Sequence, residues 1–185
     1  MGSTAVVLRD TDPAPATLSF VSALAVHASI EPFLPADVEL RLKWPNDILL
    51  NGAKVNGVLL ERTGATVIVG IGVNLAVAPD VPGKRTTAIA LHAPPPGRDL
   101  FAQTLAGAFA DELERWRHHG LPPLMKRWQT VAHPVGTPLS VAIPGEPEVA
   151  GTFAGLNPDG ALRLRLRDGT LRAIHAGDVL LAEEG

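Results

Sequence analysis

Lys43-Trp44-Pro45-Asn46-Asp47 runs into Ile48-Leu49-Leu50, and after one Asn51-Gly52 step the chain continues as Ala53-Lys54-Val55-Asn56-Gly57-Val58-Leu59-Leu60-Glu61. Two apolar runs joined by Asn-Gly predict a β-hairpin, because that dipeptide accepts the positive φ angles of a tight turn. The unusual part is what the hairpin carries. An indole, a proline, an amide and a carboxylate stand between two lysines, Lys43 and Lys54. Lys43 and Asp47 can pair at a strand end, where Asp47 can hold a cation or orient an amine. Lys54 on a strand, with Gly57 beyond it, suits a point charge that neutralises a phosphate or carboxylate in a dry pocket. Each residue also has a plain structural reading. Pro fixes φ in a rigid turn, Asn and Asp satisfy local donors, a hairpin lysine is usually solvated, and a strand glycine marks a bulge. The joint spacing is the specific signal.

Working outward, Val38 to Leu42 alternates as a strand. Thr17 to about Ile30 has Leu18, Val21, Ala25 and Ala28 at helical spacing between Pro15 and Pro32. Ser3 to Leu8 reads as a short first strand. On the other side, Thr66 to Ile71 is a β-rich strand ending in a Gly70-Ile71-Gly72-Val73-Asn74 turn, by itself a weak phosphate-loop signal. Neither a P-loop nor a Rossmann fingerprint is present. Residues 79–98, rich in Pro and Gly, predict a long loop. Asp99 is placed to cap a helix with Phe101, Leu105, Phe109, Leu113 and Trp116 on its apolar face; Gly120 and two prolines stop it. A shorter helix from about Pro123 to Val131 carries Leu124 and Trp128.

From His133 the character changes to short strands: Pro138 to Ile143, Glu148 to Gly155, Ala161 to Arg167, Thr170 to Ile174 and Val179 to Leu181. Asp159-Gly160 and Asp168-Gly169 mark turns between them. The expected organisation is an α/β (α+β) domain over residues 1–132, followed by a small SH3-like β-barrel over 133–185. Arg163, Arg165, Arg167 and Arg172 alternate with leucines, either as a cationic ladder or as a solvated face opposite a leucine core.

Composition narrows the function classes. Apolar residues make up 46% and charged residues 19% of the 185, the profile of a globular protein. No uninterrupted apolar run reaches the roughly 18 residues that span a bilayer, and no basic leader with an apolar core opens the chain. The expectation is no membrane and, by default, a cytoplasmic setting. Cysteine is absent, which excludes disulfides and thiol chemistry. A formal charge of −3 gives no general attraction to nucleic acid, and the arginine-rich strands lack interleaved aromatics. The His and acidic residues show no spacing that suggests a metal cage.

Taken together, Lys-Trp-Pro-Asn-Asp, the Lys-x-x-Gly-Val-Leu-x-Glu run of Lys54 to Glu61, the Gly-x-Gly-x-Asn segment and the C-terminal strands resemble the biotin–protein ligases. The resemblance covers most of the chain, from about Ser3 onward. It implies a biotin/lipoate ligase-like mixed sheet with helices. It also implies activation of biotin by ATP and Mg²⁺ to biotinyl-5′-AMP, then transfer to a lysine of a biotin carboxyl carrier domain of acetyl-CoA carboxylase or a related carboxylase. Carried over residue by residue, Lys54 and Asp47 are the catalytic pair, and Lys54, Gly57 and Gly70 contact biotin. Lys43, Asn46, Asp47 and Asn74 serve the nucleotide, and no residue is assigned as a dedicated metal ligand.

The same resemblance implies a Gly-Arg-Gly-Arg-x-Gly-Arg loop ahead of the first strand, where this sequence has only Met1-Gly2. Pro82-Gly83-Lys84-Arg85 and Pro96-Gly97-Arg98 lie elsewhere and read as surface loops. The expectation is therefore a catalytic domain incomplete at its N-terminus, with little or no activity for this polypeptide alone. Two alternatives stay open: a non-catalytic homologue that binds biotin or the carrier, and a lipoate–protein ligase. Oligomeric state is open too, a homodimer included.

Overall fold

A computed structural model describes residues 1–181. Its centre is α1 (Leu18–Ile30), apolar on all sides and buried along nearly its whole length, as an all-round apolar helix must be. The buried hydroxyls of Ser22 and Ser29 donate to the carbonyls of Leu18 and Ala25, at 2.8 and 2.7 Å. With its flanking turns this segment, Pro15–Phe33, is long and apolar enough by length and composition to cross a membrane, although polar residues interrupt it; 72% of its most apolar stretch is buried as the core of the fold. α2 (Arg98–His119) packs along α1, and Trp116 donates its indole N–H to Thr17 Oγ1 at 2.9 Å. α3 (Leu121–Val131) is held to α2 by buried Glu112, which accepts from Arg127 at 2.7 Å and Arg115 at 2.6 Å.

Two three-stranded antiparallel sheets cover α1. One has the order β1 (Gly2–Val7), β6 (Thr66–Val73), β5 (Asn56–Thr63); the other is β2 (Leu40–Lys43), β3 (Asp47–Leu50), β4 (Ala53–Lys54). Asn51 and Gly52 take φ values of 48° and 75°, so the hairpin turn forms as expected. Its second arm does not run unbroken to Glu61. It divides at fully buried Val55, Ala53–Lys54 pairing with β3 and Asn56–Thr63 with β6. The Gly70-Ile71-Gly72-Val73 stretch is also not a turn: it is regular strand, paired with β5 throughout and, at Gly70 and Ile71, with β1 on the other side. Asp99 does not cap α2; Gly97 stands at the cap, without a side-chain hydrogen bond.

The C-terminal strands β7 (Pro138–Ala142), β8 (Val149–Leu156), β9 (Leu162–Arg165), β10 (Leu171–Ile174) and β11 (Asp178–Leu181) form one sheet of order β10-β9-β8-β7-β11. A register shift between Phe153 and Leu156 bends β8. β10 and β11 remain the sheet's two edges, so the expected barrel is not closed by hydrogen bonds among the described residues. The four arginines form no ladder. Arg163 and Arg165 face away from the Leu162 and Leu164 core, Arg167 sits in the following turn, and Arg172 lies across from Leu164 and pairs with Glu146. Side chains from the rest of the fold bolt this sheet in place, among them buried Trp44, which donates its indole N–H to Gly160 O at 2.9 Å, and Lys43, whose Nζ donates to Val179 O at 2.7 Å.

Candidate active site

The β2–β3 ladder sets Lys43 opposite Asp47, and the β3–β4 turn returns Lys54 to the same end. Asp47, only 8% exposed, takes one lysine on each oxygen: Lys43 Nζ lies 3.1 Å from Oδ2, and Lys54 Nζ is in ion-pair contact with Oδ1. Lys54 keeps 31% of its side chain exposed, so its amine is both anchored and reachable. Asn56 braces the turn from beneath. It accepts from Ile48 N at 2.6 Å and donates through Nδ2 to Asn46 O at 3.0 Å.

Beside Lys54 runs a strap of chain from Pro79 to Thr87. Lys54 N donates to Arg85 O at 2.8 Å, and Thr87 N donates to Lys54 O at 2.9 Å. Asn74 Nδ2 donates to Thr87 O at 3.0 Å, so this amide secures the far end of the strap. At its tip Lys84 donates to Asp178 Oδ2 at 2.9 Å, reaching β11 of the C-terminal sheet. The Lys84 hydrogen bond, with the charges of Lys43, Lys84 and Lys54, holds the Asp178 carboxyl below the usual carboxylate range, against the effect of burial. Asp178 in turn raises Lys84 above its ordinary value.

Gly57 pairs with Gly72, and Gly70 lies between Leu59 and Ser3. Alternation along the strands puts all five on the face turned away from α1. A Cβ built on Gly57 meets nothing within 4 Å, and one on Gly70 meets only ordinary contacts with Leu59 at 3.8 Å or more. Neither glycine has positive φ. Their smallness therefore leaves open space above the sheet, where a flat or extended ligand can lie against backbone. A separate apolar hollow of about 590 Å³ lies on the other side of β1 and β6, against α2, lined by Val6, Val69, Ile71, Phe101 and Phe109; it is not the Lys54 site.

Thus Lys43, Asp47 and Lys54 come together in one cluster, Asn46 enters it through its backbone carbonyl, Gly57 and Gly70 share the open sheet face, and Asn74 is engaged with the strap. Reading the sequence missed Asn56, Lys84 and Asp178. Asn56 was open to notice, as a polar residue in an apolar strand two positions after Lys54. Lys84 lay in a segment set aside as a surface loop, and nothing local marks Asp178. Among the described residues no group of three or more His, Cys, Asp or Glu side chains is placed to hold a metal ion.

Family models match both parts of this architecture: residues 4–76 match the Biotin/lipoate A/B protein ligase family, and residues 140–181 the biotin protein ligase C terminal domain. The chain belongs to the biotin–protein ligase family. It is 40% identical over 166 residues to the biotin–[acetyl-CoA-carboxylase] ligase of Paracoccus denitrificans, covering 82% of this chain and 68% of that one. The Mycobacterium tuberculosis ligase of the same name is 31% identical, over 88% of this chain and 61% of its own length. The bifunctional ligase/repressor BirA of Salmonella typhimurium is 32% identical, over 84% of this chain and 50% of its own length. The chain thus spans about half to two thirds of these relatives. In fold it is similar to the Aquifex aeolicus biotin protein ligase in complex with biotin and ATP, with a TM-score of 0.82 at 20% identity, covering 97% of this chain and 77% of that one.

Proposed function

We propose that this chain carries the adenylating site of a biotin–protein ligase. The observation that supports the reading most is the reachable amine of Lys54, held on buried Asp47 at the edge of a glycine-lined sheet face. In the first step a biotin carboxylate oxygen attacks the α-phosphorus of ATP, giving biotinyl-5′-AMP and pyrophosphate. Biotin lies over Gly57 and Gly70. Lys54 neutralises the carboxylate and the phosphoryl oxygens as charge shifts between them, a task for a preorganised cation in a water-poor site. Asp47 and Lys43 keep that cation from swinging into solvent. Asn46 and Asn74 shape the nucleotide side, Asn74 through the strap it secures.

Magnesium would travel with the nucleotide and neutralise its phosphates, held largely by phosphate oxygens, as is usual for this ion. Asp47, the carboxylate in contact with Lys54, already carries a lysine on each oxygen. In the second step the amine of an acceptor lysine attacks the biotinyl carbonyl and AMP leaves. The acceptor proposed is the carboxyl carrier domain of a biotin-dependent carboxylase, in line with the names of the Paracoccus and Mycobacterium relatives.

The first family model spans biotin and lipoate ligases alike, whereas the match over 140–181 is to a biotin protein ligase domain, which favours biotin. Incubation with ATP, Mg²⁺, labelled biotin and a carrier domain tests the proposal. Covalent label on the carrier, formed slowly by this polypeptide alone as the sequence leads one to expect and unaffected by excess lipoate, is the expected result. Neither label nor biotin-dependent ATP–pyrophosphate exchange would leave a binding module in its place.

A further inference from the structure

We infer that Asp178, on edge strand β11, is a positioning residue for nucleotide binding, latching the 79–87 strap against Lys54 through Lys84. Its substrate rests on the ligase reading above. The strap is joined along one side to the backbone of Lys54, through Arg85 O and Thr87 N. Its tip has little support of its own: Lys84 N reaches Val81 O at 3.0 Å, and Val81 through Arg85 are exposed. Among the described residues, the hydrogen bond that ties the tip to the C-terminal sheet is Lys84 Nζ on Asp178 Oδ2, at 2.9 Å.

The other oxygen of Asp178 faces Lys43 Nζ at 3.9 Å, and Lys43 bonds Asp47, which bonds Lys54. A chain of alternating charge, Lys54–Asp47–Lys43–Asp178–Lys84, therefore crosses from the hairpin to β11 and back to the strap. Three cations on two anions leave net positive charge beside the glycine-lined face, where a polyphosphate would be drawn. Asp178 holds both ends of the strap side of this chain in register. Lys84 and Asp178 are about half exposed, at 51% and 49%, and such pairs contribute little to global stability. Their effect belongs in position rather than in the unfolding temperature.

Asp178→Asn, Lys84→Met and the double variant of the full chain test this in biotin-dependent ATP–pyrophosphate exchange. Each single change is expected to raise KM for ATP about five- to tenfold, the scale of a modest coupling between sites, with kcat within about twofold and the thermal midpoint unmoved. The double variant should be no worse than the poorer single, because both break one contact. Trypsin provides a readout independent of activity: cleavage after Arg85 should speed at least about fivefold in Asp178→Asn, since cutting tracks the population of the released strap. Unchanged cleavage overturns the latch. Faster cleavage with unchanged KM, or additive effects in the double variant, overturns the positioning role. Absence of exchange in the wild type defeats the ligase reading instead, and the trypsin rates still judge the latch.

Discussion

Lys43 and Asp47 face each other across the β2–β3 ladder, and Asp47 gives its second oxygen to Lys54. One buried carboxylate thus fixes two cations with different destinies. Lys43 turns inward to the C-terminal sheet, bonding Val179 O, and Lys54 stays reachable from solvent.

Removing the Lys54 amine tests the chemistry with little effect on the fold. Lys54→Ala should lower biotin-dependent pyrophosphate exchange by about 10²-fold or more, the usual loss for one preorganised charge-stabilising group. Circular dichroism and the thermal midpoint should stay close to wild type, because the side chain is partly solvated.

Asp47→Asn should behave differently. It leaves Lys43 and Lys54 without their shared counter-ion in a largely buried setting, a change that costs about 3 kcal/mol. Urea unfolding followed by Trp fluorescence should show the loss, and activity should fall with it.

Gly57→Val separates ligand space from folding. Nothing lies within 4 Å of the added Cβ, so stability should change by no more than about 0.5 kcal/mol. Biotin affinity, measured by calorimetry, should drop at least about tenfold as the new side chain occupies the open face, a loss worth about 1.4 kcal/mol.

Trp44 tests the joint between the two halves. Trp44→Phe strands the buried Gly160 carbonyl and should cost about 1–3 kcal/mol. Gly160→Ala should also be costly: its φ is +90°, and a Cβ there would sit 2.7 Å from Phe20 Cε2. Hydrogen exchange in β9 and β11 should report the loosening in both.

Stability should fall as the medium is acidified from neutrality. Burial pushes the imidazoles of His27 and His133 below their ordinary 6.5, so the unfolded chain binds these protons at higher pH than the folded one. The contribution is therefore fully present above 6.5 and erodes as pH drops from there toward the lowered folded values. Urea midpoints at pH 7.5 and pH 5.5 should differ less in a His27→Asn, His133→Asn variant.

Local pattern made much of this readable in advance. The Asn51-Gly52 turn, the apolar helix of Leu18–Ile30, the Phe101–Trp116 face and the Asp-Gly turns of the C-terminal strands follow from φ preference and hydrophobic period, which need no distant partner. So does the grouping of Lys43, Asp47 and Lys54, since two successive tight turns return all three to the same end.

Other features depended on neighbours the local pattern does not reveal. Gly70 enters a strand because β1 and β5 pair with it on both sides, Gly72 because Gly57 of β5 pairs with it, and Val55 divides the hairpin arm because its side chain is drawn into the core. Lys43 and Val179 are 136 residues apart, and no periodicity brings them within 2.7 Å. Short-range sequence chose the strands, the turn and the charged triad. Packing of the C-terminal sheet against Trp44 and Lys43 decided which lysine was buried and which was left free to meet a ligand, because desolvation and ion pairing act through contacts that exist only once the chain has folded.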